Sequence, residues 1–140
     1  MKRQVILDTG PLVAFLNGQD RFHEWASLQW AQIDPPLLTC ETVLSEACFL
    51  LRGIEGGQAA VLELLRRGVV HPAFRLNEHV NQITWLVKKY SDVPMSLADA
   101  CLIRMAELYT DGPVLTLDDD FRIYRRNKRE IIPLLSPSDL

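Results

Sequence analysis

The chain is poor in the residues that staple small or metal-built folds. Its 140 residues hold three cysteines, Cys40, Cys48 and Cys101, and no CxxC pair. An odd, scattered set argues against a disulfide framework or a zinc knuckle and fits reduced thiols in a cytoplasmic protein. The three histidines, His23, His71 and His79, show no ligand spacing and read as incidental to any site. No apolar run approaches the ~20 residues of a membrane span, so no membrane partner is expected. Met1-Lys2-Arg3 imitates the start of a signal peptide, but Val5-Ile6-Leu7 is cut at once by Asp8. A GxSxG elbow and a P-loop are both missing, which removes the commonest serine-hydrolase and nucleotide-binding chemistries. Positive charge is also in short supply. Fifteen Lys+Arg face eighteen Asp+Glu, a net charge of −3. The average field repels phosphate, so any contact with nucleic acid needs a local basic patch or a bound metal.

What is present is an ordinary globular composition, 48% hydrophobic and 24% charged. The length suits one domain over residues 1–140 with a core of its own. Short apolar runs alternate with helical patterns. Val5-Ile6-Leu7, Leu37-Leu38-Thr39, Val69-Val70-His71, Val114–Leu117 and Ile131-Ile132 read as strands. Helices are expected over Leu12–Leu16 after Pro11, over Phe22–Ile33 until Pro35-Pro36, over Glu41–Arg52 with Gly53 closing it, and over Gln58–Arg67 before Gly68. Asn77 is the expected cap of a helix burying Val80, Ile83, Val87 and Tyr90, and Ser96 caps one running to Tyr109. Asp118-Asp119-Asp120 starts a short helix. Trp25, Trp30 and Trp85 fall on helical faces, where core packing is the default and an interface the alternative. Together these predict an α/β sandwich, with a mostly parallel sheet of about five strands flanked by helices.

Four carboxylates recur at the ends of these elements. Asp8 ends the first strand, Asp118 follows the Val114–Leu117 strand, and Asp99 lies in the first turn after Ser96. Glu46 sits within Leu44-Ser45-Glu46-Ala47-Cys48. In open parallel sheets, ligands bind outside the carboxyl ends of the strands. Each aspartate also has a structural reading: Asp8 and Asp118 as helix caps, Asp99 as the second half of a Ser96-x-x-Asp99 capping box. Glu46 has nothing to cap and is expected partly buried among apolar neighbours, where a carboxylate needs a partner or a metal. Four carboxylates near one sheet edge repel one another, and a hard divalent cation relieves that repulsion.

On Val-Ile-Leu-Asp8-Thr9-Gly-Pro-Leu-Val-Ala, Glu46, Leu97-Ala98-Asp99-Ala100 and Leu115-Thr116-Leu117-Asp118-Asp119-Asp120-Phe121, the chain resembles the PIN-domain nucleases. Among them it is most like the VapC-type toxins of prokaryotic type II toxin–antitoxin pairs. The resemblance spans essentially the whole chain, with the acidic motifs in order. It implies a PIN-like three-layer sandwich and a ribonuclease dependent on Mg²⁺, with Mn²⁺ as the alternative. On that pattern Asp8, Glu46, Asp99 and Asp118 are the catalytic and metal-binding carboxylates. Asp120 is a further candidate ligand, and Thr9 and Thr116 are auxiliary hydroxyls. The resemblance also implies an RNA substrate, a homodimer and, for a toxin, an antitoxin whose tail enters the acidic groove.

Five of the fifteen basic residues crowd one segment: Arg122, Arg125, Arg126, Lys128 and Arg129. Either they grip RNA phosphates or they form a solvated face. Two further readings compete with the nuclease. A non-catalytic RNA-binding module on the same fold would have lost acids, and none is lost; a nuclease that processes RNA without being a toxin keeps them all. A phosphotransfer domain would want a second Asp two residues after Asp8, where Gly10 stands.

Overall fold

Five short strands, the central ones buried, order the molecule. The structure, a computed structural model, describes residues 4–137; Met1-Lys2-Arg3 and their signal-like charge lie outside them. Strands β1 (Ile6–Leu7), β2 (Leu37–Thr39), β3 (Val70–Pro72) and β4 (Val114–Leu115) join a late strand, β7 (Leu134–Leu135), in one sheet. The order is β3-β2-β1-β4-β7 and every pairing is parallel. Ile6, Leu7, Val114 and Leu115 have no exposed surface, as a sheet covered on both faces requires. Beside the sheet lie α1 (Thr9–Leu16), α2 (His23–Ala31), α3 (Glu41–Leu50), α4 (Gly57–Arg66), α5 (Val80–Lys89) and α6 (Leu97–Leu108). This is the expected α/β sandwich. No described helix is long and apolar enough to cross a membrane.

The strand order fixes where a site can form. From β1 the chain steps outward through β2 to β3, then returns to lay β4 on the other flank of β1. Direction therefore reverses between β1 and β4, and a crevice opens outside the carboxyl ends of those strands. Asp8 and Asp118 follow directly from them.

Several sequence expectations are corrected. The fifth sheet strand is Leu134–Leu135, not Ile131-Ile132. Glu130–Ile131 (β6) instead pairs antiparallel with Arg125–Arg126 (β5) in a separate hairpin, which leaves Ile131 exposed and turns Ile132 into the core. The β4 strand stops at Leu115 because the Thr116 hydroxyl accepts the Asp118 N–H at 2.9 Å and starts a turn. Helix α1 begins at Thr9, three residues earlier than expected, because Asp8 caps it. Asn77 caps nothing. It lies in a 3₁₀ turn, Leu76–Glu78, and α5 starts after His79, whose ring stacks on Phe74 at 4.8 Å and accepts from Arg104 Nε at 3.2 Å. That tertiary anchoring overrides a local capping preference. Helix α3 ends at Leu50 without Gly53; the left-handed glycines are Gly56 and Gly68, the latter closing α4. Trp85 and Val87 are exposed rather than packed, whereas Trp30 stacks on Phe15 at 4.1 Å.

Candidate active site

Asp8 leaves the central strand with its backbone still in the ladder, its N–H donating to Leu115 O at 3.0 Å. Its side chain caps α1: Oδ1 accepts from Thr9 N at 2.7 Å. Oδ2 accepts from the Thr116 hydroxyl at 2.7 Å, a bond joining the ends of β1 and β4. The same hydroxyl accepts from Asp118 N, so Thr116 ties two of the four acids together. Asp118 in turn accepts from Asp120 N at 2.9 Å through Oδ1. Asp99 is held from two sides. Ser96 and Asp99 form the complete capping box, and the Tyr124 hydroxyl donates to Asp99 Oδ2 at 3.0 Å. Every structural reading of the three aspartates is therefore realised. The caps are the means by which these carboxylates are aimed.

Asp8, Glu46, Asp99 and Asp118 all line one groove of about 500 Å³, together with Thr9, Gly10 and Asp119. Gly10 has a steric role, since a Cβ there would sit 3.2 Å from Leu117 Cβ. Its absence lets the first turn of α1 lie against the segment carrying Asp118. Two expectations change here. Glu46 is exposed, on the side of α3 opposite its buried face of Val43, Leu44 and Ala47. Burial does not oblige it to find a partner; its place on the groove rim is what associates it with the aspartates. Asp120 does not line the groove. Its backbone supports Asp118, and burial together with Asp118 and Asp119 raises its pKa.

The electrostatics of the aspartates follow from depth. Asp8 is 6% exposed and Asp99 is 7% exposed. Burial pushes Asp8 up to about 7, against the pull of its Thr116 and Thr9 bonds, and the neighbouring Asp99 and Asp118 add to the rise. Burial also raises Asp99, opposed by the Tyr124 hydroxyl. Tyr124 is wholly buried, and burial with the Asp99 carboxylate beside it raises its own pKa strongly, so it remains a donor. Tyr124 and Ser96 both hold the site, yet only Ser96 carried a sequence signal.

The donor set suits a hard divalent cation: carboxylate oxygens only, from four separate segments, with no soft ligand lining the groove. The Thr9 side chain adds a second mark. Its hydroxyl is buried in the groove wall without any hydrogen-bond partner, a state that costs free energy unless a water or ligand completes it. Among the described residues no three acidic, histidine or cysteine side chains are arranged to hold an ion as they stand.

Among the described residues, no basic side chain lines the groove. Arg126 is committed elsewhere: Nη1 donates to Ala106 O and Thr110 O at 3.1 Å each, and its side chain is 12% exposed. Ala106 lies about two turns along α6 from Asp99. Arg122 pairs with Asp119 at 2.7 Å, and Arg125 donates to Arg122, Ile123 and Tyr124 carbonyls. Lys128 and Arg129 are exposed on the hairpin loop.

Residues 5–127 match the PIN domain family. No curated protein matches the chain by sequence. Among solved structures, the crystal structure of Mycobacterium tuberculosis VapC20, described as a sarcin-ricin loop cleaving toxin, aligns at a TM-score of 0.71 with 23% identity, covering 93% of this chain and 100% of that one. At that identity the likeness is one of fold.

Proposed function

The chain belongs to the PIN-domain family, and from that premise we propose that it is a metal-dependent ribonuclease, the toxin of a type II toxin–antitoxin pair. The observation that carries the reading is the gathering of Asp8, Glu46, Asp99 and Asp118, distant in sequence, on one groove at the reversal point of a parallel sheet. The fold shared with an RNA-cleaving toxin supports it.

Asp8, Asp99 and Asp118, with Glu46 at the rim, would hold one or two Mg²⁺ ions. When bound, the cation supplies Lewis acidity toward water and a phosphate oxygen. The chain's own residues do the rest. Thr9 N and Thr116 Oγ1 fix both oxygens of Asp8, so that carboxylate needs no rearrangement during reaction. Without a cation, burial raises the Asp8 pKa to about 7; a cation held there would favour the ionised carboxylate. The Tyr124 hydroxyl and the Ser96 backbone N–H orient the Asp99 carboxylate. Lys128 and Arg129, exposed on the hairpin loop, would attract RNA from outside the groove; Arg122 and Arg125 would do so only by giving up their contacts with Asp119 and with backbone carbonyls, and the half-buried Arg126 serves the hairpin. A homodimer and a cognate antitoxin belong to the same proposal. Phe49 and Leu62, 59% and 61% exposed on α3 and α4, offer apolar surface for a protein partner.

The test is incubation of the purified chain with RNA across a Mg²⁺ titration, in parallel with Asp8→Asn and Asp99→Asn. Metal-dependent cleavage that both variants lose supports the proposal. Stable RNA retention without cleavage at any metal concentration would replace it with a non-catalytic binding module.

A further inference from the structure

Helix α5 reads VNQITWLVKK and carries no acidic residue, in a chain whose net charge is −3. Its core face is Ile83 and Leu86. The opposite side exposes Asn81, Gln82, Trp85, Lys88 and Lys89, and Trp85 shares a stripe with the two lysines at i+3 and i+4. The Trp85 indole is 42% exposed. Two ammonium groups lie near its ring, Lys89 Nζ at 5.0 Å and Lys128 Nζ at 5.7 Å from the centroid. Lys128 comes from the β5–β6 loop, whose backbone is left-handed at Asn127 (φ 48) and Lys128 (φ 70). Lys89 Nζ donates to Lys128 O at 2.9 Å and Asn127 N to Glu107 Oε2 at 2.7 Å, so the loop is fixed against α5 and α6. A cavity of about 350 Å³ opens between Trp85, Gln82, Asn127 and Lys128. Glu107, the one acid lining it among the described residues, already engages Arg104 at 3.1 Å.

We propose that Trp85, Lys89 and Lys128 form a subsite for single-stranded RNA outside the acidic groove, where one nucleobase stacks on the indole and adjacent phosphates meet the two ammonium groups. This deepens the ribonuclease reading and rests on it. An exposed aromatic ring between cations is the combination that holds single strands, because every base has a π-face and every nucleotide a charge. The same surface suits a protein partner poorly, since lysine is depleted from interface cores. The cavity beside Trp85 shares no lining residue with the acidic groove. Loss of the subsite therefore weakens capture of RNA and spares the chemical step.

The experiment compares the full-length chain with Trp85→Leu, Trp85→Phe, Lys89→Gln and Lys128→Gln on a single-stranded RNA of about 20 nucleotides with Mg²⁺. Binding is followed separately by tryptophan fluorescence in an Asp8→Asn background. Trp85→Leu is expected to raise KM about fivefold or more with kcat held, and Trp85→Phe to restore much of the loss. Each Lys→Gln change lowers the slope of log affinity against log salt by about one. RNA should quench a fluorescence component that Trp85→Phe lacks. Cleavage by the unmodified chain with KM and quenching indifferent to Trp85 overturns the subsite and leaves the nuclease reading intact. Trp85-dependent quenching without any cleavage does the reverse. Loss of dimerisation in Trp85→Leu, with RNA affinity unchanged, assigns the face to a protein contact and overturns the proposal.

Discussion

Asp8 is bonded well enough to be an ion and buried deeply enough to resist being one. Burial prevails and sets its pKa at about 7, so between about pH 4 and pH 7 the folded chain holds a proton that the unfolded chain has released. Stability contributed by that proton is present below the ordinary aspartate range and is lost as pH rises through about 7. In EDTA, the melting temperature should fall across this window. Asp8→Asn should flatten the fall and melt higher than the natural chain at pH 8, while losing cleavage. Equal slopes in calorimetry of the two proteins would show that Asp8 is ionised throughout. Tyr124 makes a second prediction at this scale. Tyr124→Phe removes the hydroxyl held 3.0 Å from Asp99 Oδ2. A hydrogen bond to a charged acceptor is worth about 1.5–3 kcal/mol. Asp99 should take up its proton more readily, moving the acidic limb of the pH–activity profile upward; an unmoved limb would make Tyr124 a packing residue only. The aspartates were legible in the sequence because each stands at an element boundary. Tyr124 was not, because it reaches Asp99 across 25 positions from a turn that no periodicity marks. Glu46 was misjudged in burial because its neighbours Leu44 and Ala47 are apolar, yet they lie on the other side of the helix.

At the scale of elements, the devices that end and begin helices also build the site. The Ser96–Asp99 capping box starts α6 and holds a carboxylate in the groove, two consequences of one local pattern. Ser96→Ala should cost about 1 kcal/mol of stability, in the usual range for a lost cap, with kcat little changed, because the Asp99 carboxylate accepts from the Ser96 backbone N–H and the Tyr124 hydroxyl, both of which alanine leaves in place. A large fall in kcat beside the fall in stability by denaturant titration would mean that the Ser96 hydroxyl itself serves the site. Arg126 performs the matching service at the other end of α6, bonding Ala106 O and Thr110 O. In the sequence it was one basic residue of five in a run, and nothing distinguished it. What could not be read was the hairpin itself: Arg125–Arg126 pairs with Glu130–Ile131 through a loop whose left-handed backbone falls on Asn127 and Lys128 rather than on glycine. Without that turn signal, Ile131-Ile132 passes for a strand of the main sheet. Arg126→Ala should therefore destabilise the fold and leave the salt dependence of RNA binding unchanged, whereas Lys128→Ala should do the opposite. Binding isotherms at several ionic strengths, beside melting curves, decide it.

Across the whole molecule, Asp8, Glu46, Asp99, Asp118 and Asp119 line one groove at the carboxyl ends of β1 and β4, while Lys88, Lys89, Lys128 and Arg129 lie exposed on α5 and the hairpin loop. The order of strands produces the first cluster, since β4 pairs beside β1 in a register that brings Thr116 to Asp8, and Thr116 bonds both Asp8 and Asp118. That much followed from alternating strands and helices; the exact register did not, because strands of two or three residues carry too little pattern to fix their own ends. A cluster of carboxylates with no basic residue among the described residues of its wall is a store of repulsion that a cation releases. Binding only to the folded chain, Mg²⁺ at about 100 times its dissociation constant should add about 2.7 kcal/mol to stability. The gain should be larger at pH 8 than at pH 5.5, because at lower pH the proton on Asp8 competes for the same oxygens. Asp8→Asn and Asp99→Asn should each reduce the gain, whereas Arg126→Ala should lower the baseline without changing it. A thermal shift with Mg²⁺ that is equal at both pH values, or equal in all these variants, would mean that the ion binds somewhere other than the groove.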